Sequence, residues 1–224
     1  MRPAPAHGGA LLSSEVKKAV QERFFSKLES KVTLHFFTIE FNCMYCGEIA
    51  QLYSELAELS PLLEVEVHDF ERDRDAVRCF KIDAAPCTAI VGERDFGLRF
   101  YGIPAGYEFR SFLQAIVDAS RGRTGLPDEL RDRARAFRKP VELKVFVTPT
   151  CPHCPSMALA AFQLAVESDM VEAKVIEASE FPQLASKYGV MAVPKTIVND
   201  VAGFEGAASA SALVEFIEAT LEES

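Results

Sequence analysis

The chain repeats itself at a fixed offset. Cys43 and Cys46 in FNCMYCGEIAQLYSEL recur 108 residues later as Cys151 and Cys154 in TPTCPHCPSMALAAF, and Pro86 in IDAAPCTAIV recurs at the same offset as Pro194 in VMAVPKTIVN. Each copy therefore spells C-x-x-C followed by a proline 40 residues after the second cysteine. Phe80 and Ile82 match Tyr188 and Val190 in that frame, and Asp69 matches Glu177. A pattern duplicated at this spacing predicts two copies of one structural unit. With 224 residues, each copy has enough chain for a core of its own.

Hydrophobic patterning gives both copies the same order of elements. KVTLHFFT (31–38) and VELKVFVT (141–148) are apolar, β-branched or aromatic runs, which predict buried strands. They align at an offset of 110, so the first copy has two extra residues before its cysteines. Helical patterns follow at 46–59 and 154–168, strands at 63–70 and 171–178, and a short helix ends near Ile82 or Val190. Each proline opens a strand pair, and amphipathic helices at 107–119 and 210–222 close the units. Further helical patterns at 11–28 and 127–137 precede the two units. The reading is α/β, strand–helix–strand–helix–strand–strand–helix twice, with each mixed central sheet flanked by helices. The boundaries are a disordered tail at 1–14, a first unit at 15–119, a linker SRGRTGLPDE at 120–129 and a second unit at 130–224.

A strand, a C-x-x-C at a helix start and a later X-Pro opening a hairpin make the thioredoxin fold. Two such units, with FGLRFYGIPAGYEF closing the first and IEASEFPQLASKYGVMAVPKTIVN in the second, resemble the protein disulfide oxidoreductases of thermophiles, also called glutaredoxin-like proteins. The resemblance covers about residues 15–222. It implies tandem thioredoxin-fold units whose X-Pro bonds, at Pro86 and Pro194, are cis and face the cysteines. It also implies that Ala85 and Val193 offer backbone hydrogen bonds to an extended substrate, in the manner of an added strand, and that the second cysteine pair is the better matched to catalysis.

The chemistry of the pairs follows from their place. Free N–H groups and the dipole at a helix start favour an anion, and the thiolate is the nucleophile. Cys151 is the candidate attacking sulfur and Cys154, placed one helical turn further in, the resolving one. Pro152 suits a helix start because its missing N–H would be unpaired there. His153 can set a positive charge or a donor near the sulfur. The CMYC of the first unit lacks both, with Tyr45 beside the sulfur instead, so Cys43 and Cys46 form a second site of different potential. A permanent staple would close too small a loop to add much stability. Structural zinc needs four converging ligands, whereas the pairs lie in separate repeats, so no metal is expected. Cys79 and Cys87 are open to three readings, a third dithiol, a structural disulfide or two free thiols, with free thiols the default.

Thioredoxin's tryptophan before the first cysteine is replaced by Asn42 or Thr150, and its buried acid six residues before the pair by Phe37 or Val145. Proton handling must differ, and Glu177 and Asp69 at matched strand ends are the candidates. His35 and His68, single histidines in or near strands, are read as structural.

A net charge of −9 argues against a nucleic-acid binder. No stretch has the length of a membrane span or of a signal-peptide core, which predicts a cytoplasmic protein. No phosphate loop or dinucleotide fingerprint appears, so no cofactor is expected and electrons must come from a separate, thioredoxin-reductase-like flavoprotein. The expected partners are disulfide-containing or dithiol proteins, with a peroxiredoxin among them. The expected activity is cytoplasmic thiol:disulfide exchange that reduces, forms or isomerises protein disulfides. The alternatives are a dedicated electron relay from a flavoprotein to a peroxidase, and a peptide-binding module without catalysis.

Overall fold

The computed structural model describes residues 9–41 and 43–223. An entry helix α1 (Ser14–Arg23) and a single 3-10 turn at Phe25–Lys27 lead into β1 (Val32–Thr38), α2 (Cys46–Ala57), β2 (Leu63–Asp69), α3 (Arg74–Cys79), β3 (Cys87–Val91), β4 (Asp95–Tyr101) and α4 (Glu108–Arg121). The second half runs α5 (Asp128–Arg135), β5 (Val141–Val147), α6 (Cys154–Glu167), β6 (Val171–Glu177), α7 (Pro182–Lys187), β7 (Lys195–Val198), β8 (Ala202–Glu205) and α8 (Ala210–Glu223). The order of elements within each unit is the one the sequence predicts.

The two units share one eight-stranded sheet of order β2-β1-β3-β4-β6-β5-β7-β8. Within each half the first two strands pair in parallel and the remaining pairs are antiparallel. The halves join through a parallel pairing of β4 with β6, Leu98 opposite Ala173 and Tyr101 opposite Ile176. Backbone edges that two separate sheets would expose are thereby satisfied against each other.

Alternation along the strands divides the side chains between two cores. Leu34 and Phe36 of β1 join Leu143, Val145 and Val147 of β5 in the larger core, under α2, α4, α6 and α8. Phe37 and Phe146 point to the other face, where α3 and α7 cover a smaller core with Val77, Ile82 and Phe181. Between α3 and α7 that face carries charge instead. Lys174 pairs with Asp83 at 2.9 Å and Glu142 at 2.7 Å, Lys144 with Asp200 at 2.6 Å, and Arg99 with Asp95 at 2.6 Å. Helix α6, CPSMALAAFQLAVE, is apolar on most sides because it is central, and its alanines let α4 pack along it. Gly122, at φ 59°, ends α4 in the left-handed conformation that glycine adopts freely.

Two expected loose segments are held. Part of the tail expected to be disordered, residues 1–8, lies outside the described residues, but the rest is anchored. Ser13 caps α1, Leu12 is buried, and the Leu11 and Leu12 N–H groups donate to Glu55 at 2.8 and 3.0 Å. The hydrogen bonds to a buried carboxylate outweigh the chain entropy of an end segment here. Of the segment expected to be a linker, Ser120 and Arg121 belong to α4 and Asp128 and Glu129 to α5. Between them, the Thr124 N–H and hydroxyl donate to Glu167 at 2.8 and 2.7 Å. Among the described residues no helix is long and apolar enough to cross a membrane.

Candidate active sites

Both C-x-x-C pairs are disulfides, with Cα–Cα distances of 5.6 Å for Cys43–Cys46 and 5.5 Å for Cys151–Cys154. In each, the second cysteine is the first residue of a helix, so the first cysteine lies just outside it. The sequence pattern alone places Cys154 and Pro152 deeper. Pro152 is exposed ahead of the helix, and Pro155 is the first-turn proline. The Cys154 N–H points out of the helix start at Cys151 Sγ, 3.2 Å away.

Across the cleft, the Ala85–Pro86 and Val193–Pro194 bonds are both cis. The Val193 carbonyl oxygen lies 3.6 Å from Cys151 Sγ. Pro86 and Pro194 each accept a backbone hydrogen bond from the closing glycine of their hairpin, Gly102 at 3.0 Å and Gly206 at 2.8 Å. The N–H groups of Val193 and Ala85 take no partner among the described residues, as strand addition by an extended peptide requires.

The two sites differ in access. Cys151 is 9% exposed and Cys154 fully buried, whereas Cys43 and Cys46 are both half-buried. The longer loop of the first copy carries Phe41 and Met44 into solvent beside Cys43, and Asn42 lies outside the described residues. Met191 and Tyr107 are the exposed apolar side chains near the second site. His153 is exposed and its side chain has no hydrogen-bond partner among the described residues. Tyr45 precedes α2 and packs half-buried against the larger core.

Glu177 and Asp69 are occupied locally. Glu177 is buried and accepts from the Ser179 hydroxyl at 2.6 Å and the Glu180 N–H at 2.8 Å. Asp69 accepts from the N–H groups of Glu71 and Arg72 at 2.9 and 3.0 Å. Both carboxylates thus cap the turns that follow their strands.

A different buried acid heads the helix whose first turn meets the loop before Cys151. Glu108 opens α4 and is 1% exposed. Its Oε2 accepts from the Ser111 hydroxyl at 2.6 Å, and its Oε1 has no hydrogen-bond partner among the described residues. Burial pushes this carboxyl up to about 7 despite the Ser111 bond. The head of α4 is seated on the loop before Cys151. The Tyr107 N–H donates to the Pro149 carbonyl at 2.9 Å, and a Cβ on Gly106 would fall 2.2 Å from that oxygen. Ser111 also shares a cavity wall with Pro152 and Pro155. Sequence reasoning misses Glu108 because it seeks the acid within the same unit, whereas α4 belongs to the other one. Its signal is a glutamate at the head of a buried helix face, followed one turn later by Ser111.

Cys79 is exposed and Cys87 buried, both unpaired, and burial raises the Cys87 thiol far out of the reactive range.

The thioredoxin-domain family model matches residues 141–218. The thioredoxin of Methanocaldococcus jannaschii is 42% identical over 82 residues, which are 36% of this chain and 96% of that protein. An alkyl hydroperoxide reductase component of Staphylococcus epidermidis is 25% identical over 153 residues, 68% of this chain and 28% of that longer protein. Among solved structures, a protein disulfide oxidoreductase from Aeropyrum pernix K1 superposes with a TM-score of 0.86 at 27% identity, covering 94% of each chain. The corresponding alkyl hydroperoxide reductase component of Enterococcus faecalis has the same fold, with a TM-score of 0.85 at 24% identity over 92% of this chain and 99% of the other.

Proposed function

This chain is a thiol–disulfide oxidoreductase of the thioredoxin family, and we propose that Cys151–Cys154 is its principal site, acting on cysteine pairs of other proteins, with Cys43–Cys46 as a second. The observation that carries the assignment is Cys151 Sγ set between a helix-start N–H at 3.2 Å and the Val193 carbonyl at 3.6 Å, opposite Pro194. An extended substrate hydrogen-bonds to the backbone of Val193, which brings its disulfide over Cys151.

In the reductive direction, the Cys151 thiolate attacks one substrate sulfur. A Cys151–substrate disulfide forms, the substrate disulfide breaks, and the released thiolate takes a proton. Cys154 then loses its proton and attacks Cys151 Sγ. The Cys151–Cys154 bond forms and the second substrate thiolate leaves, taking a proton in turn. Two electrons and two protons pass to the substrate, and the reverse sequence oxidises a dithiol. We assign to Glu108 the proton that Cys154 must lose. Its free oxygen and near-neutral titration suit a group that takes up and returns a proton at physiological pH. An unpaired exposed thiol at Cys79 favours a reducing compartment, the cytoplasm.

Reduction of insulin by dithiothreitol tests the principal site. C151S abolishes the acceleration and C43S leaves most of it, whereas an unchanged rate in C151S overturns the assignment. The second reading is an electron relay between a flavoprotein reductase and a peroxiredoxin, favoured by the match to the staphylococcal alkyl hydroperoxide reductase component over 68% of this chain. A relay accelerates one partner strongly, whereas a general oxidoreductase reduces many unrelated disulfides at comparable rates.

A further inference from the structure

The two strand histidines, taken singly in the sequence, meet in space. In the parallel pairing of β1 with β2, His35 lies opposite Glu66 and Phe37 opposite His68. Alternation then puts His35, Glu66 and His68 on one face, the one covered by α3. His35 Nδ1 is 3.0 Å from His68 Nε2 and 3.3 Å from Glu66 Oε2, and His68 Nε2 is 3.8 Å from the same oxygen.

From these contacts we infer that His35, Glu66 and His68 form a three-ligand site for a borderline divalent transition-metal ion of the zinc class, separate from both cysteine pairs. Three features of the cluster fit such an ion. The first is spacing. Tetrahedral zinc with bonds of about 2.0–2.1 Å holds its ligand atoms about 3.3 Å apart, and the three separations bracket that edge. The second is orientation. The His35 ring packs 4.3 Å from Phe80 and the His68 ring 4.8 Å from Phe37, so both imidazoles are fixed with the facing nitrogens convergent. Pre-set ring orientation is what ligating histidines need from their surroundings. The third is charge. The two facing nitrogens share one hydrogen bond, donor and acceptor set by tautomer, Glu66 Oε2 is the third ligand atom, and among the described residues neither a lysine nor an arginine pairs with Glu66. A divalent ion would replace that hydrogen bond, the donor imidazole shifting its proton to its other ring nitrogen.

Two imidazoles and one carboxylate suit zinc, copper, nickel or iron rather than calcium or magnesium. Side-chain exposures of 14% and 18% for the histidines and 56% for Glu66 make the carboxylate edge the entry path, and a fourth position is left for water.

The test is calorimetric titration with zinc of the full chain carrying C79S, after chelator treatment and with both C-x-x-C pairs oxidised, so that no exposed thiol competes. The expected result is saturable binding of one ion per chain. H68Q removes it, and E66Q weakens it by at least about tenfold, the scale set by loss of even an outer-sphere partner. Glu66 is exposed, so E66Q decides the matter even if H68Q does not fold. Cobalt substitution adds an independent readout, a tetrahedral ligand-field spectrum without a thiolate charge-transfer band. Absence of saturable zinc binding, unchanged affinity in E66Q, or a thiolate band overturns the assignment.

Discussion

Replacing Glu108 by glutamine separates its stability role from its chemical one. Burial raises this carboxyl from 4.5 to about 7, which corresponds to about 3 kcal/mol between its protonated and ionised states. The sign follows from proton binding. Between the two values the folded state holds a proton that the unfolded state has released, so stability falls as pH rises from about 4.5 to about 7 and is flat beyond. Glutamine mimics the protonated acid and keeps an oxygen for the Ser111 hydroxyl. E108Q is therefore expected to unfold in urea within about 1 kcal/mol of the natural protein at pH 4. At pH 8 it is expected to be more stable by about 2–3 kcal/mol. The comparison isolates Glu108 from Asp118 and Glu180, which burial also raises, to about 6 and about 7, and which both proteins share. In the insulin assay, E108Q is expected to lose the inflection that Glu108 contributes near pH 7 and to keep only that of the Cys151 thiol. Equal pH slopes of stability in the two proteins would refute the burial argument, and an unchanged rate profile would remove Glu108 from proton transfer.

The remaining predictions are more local. Glu55 is held down to about 2, against the upward pull of burial, by the Leu11 and Leu12 N–H groups, Gln51 and Lys17. Its contribution is complete above about pH 4.5 and is lost as pH falls toward 2. E55Q should therefore be less stable by about 1–2 kcal/mol at pH 7, where urea unfolding reads it, and equal to the natural protein near pH 2. Gly106 has φ +60° and lies against Pro149, so G106A should displace the loop before Cys151. It is expected to cost about 1–3 kcal/mol and to lower insulin reduction; full activity in a stably folded variant would contradict the seating of α4 on that loop. C154S should accumulate a mixed disulfide through Cys151 when mixed with oxidised substrate, identifiable by peptide mass mapping, and a bond through Cys43 would contradict the choice of principal site.

The duplicated cysteines and prolines make most of the fold readable, because strand and helix periods and turn residues are local signals. VELKVFV and VTLHFFT announce buried strands whatever lies beside them. The pairing of β4 with β6 is not readable, since backbone edges carry no side-chain signature of their neighbour. Glu108 is hidden for a related reason. The head of α4 in one unit is seated on the loop before Cys151 in the other, and no spacing within a unit encodes that. His35 and His68 read as single residues because they stand 33 positions apart in sequence, and only the β1–β2 register brings them to 3.0 Å. The anchored N-terminal segment depends on a carboxylate 43 positions away, Glu55 on the Leu12 N–H.

The central claim is that the start of α6 makes Cys151 an anion near neutral pH. The direct measurement is the pH dependence of iodoacetamide alkylation of Cys151 in the reduced protein, on a C43S/C46S/C79S background, with the modified peptide quantified by mass. The account predicts a titration at least one unit below the free-thiol value of about 8.5, with Cys151 modified before Cys154. A Cys151 that titrates at or above 8.5, or that reacts no faster than Cys154, contradicts it.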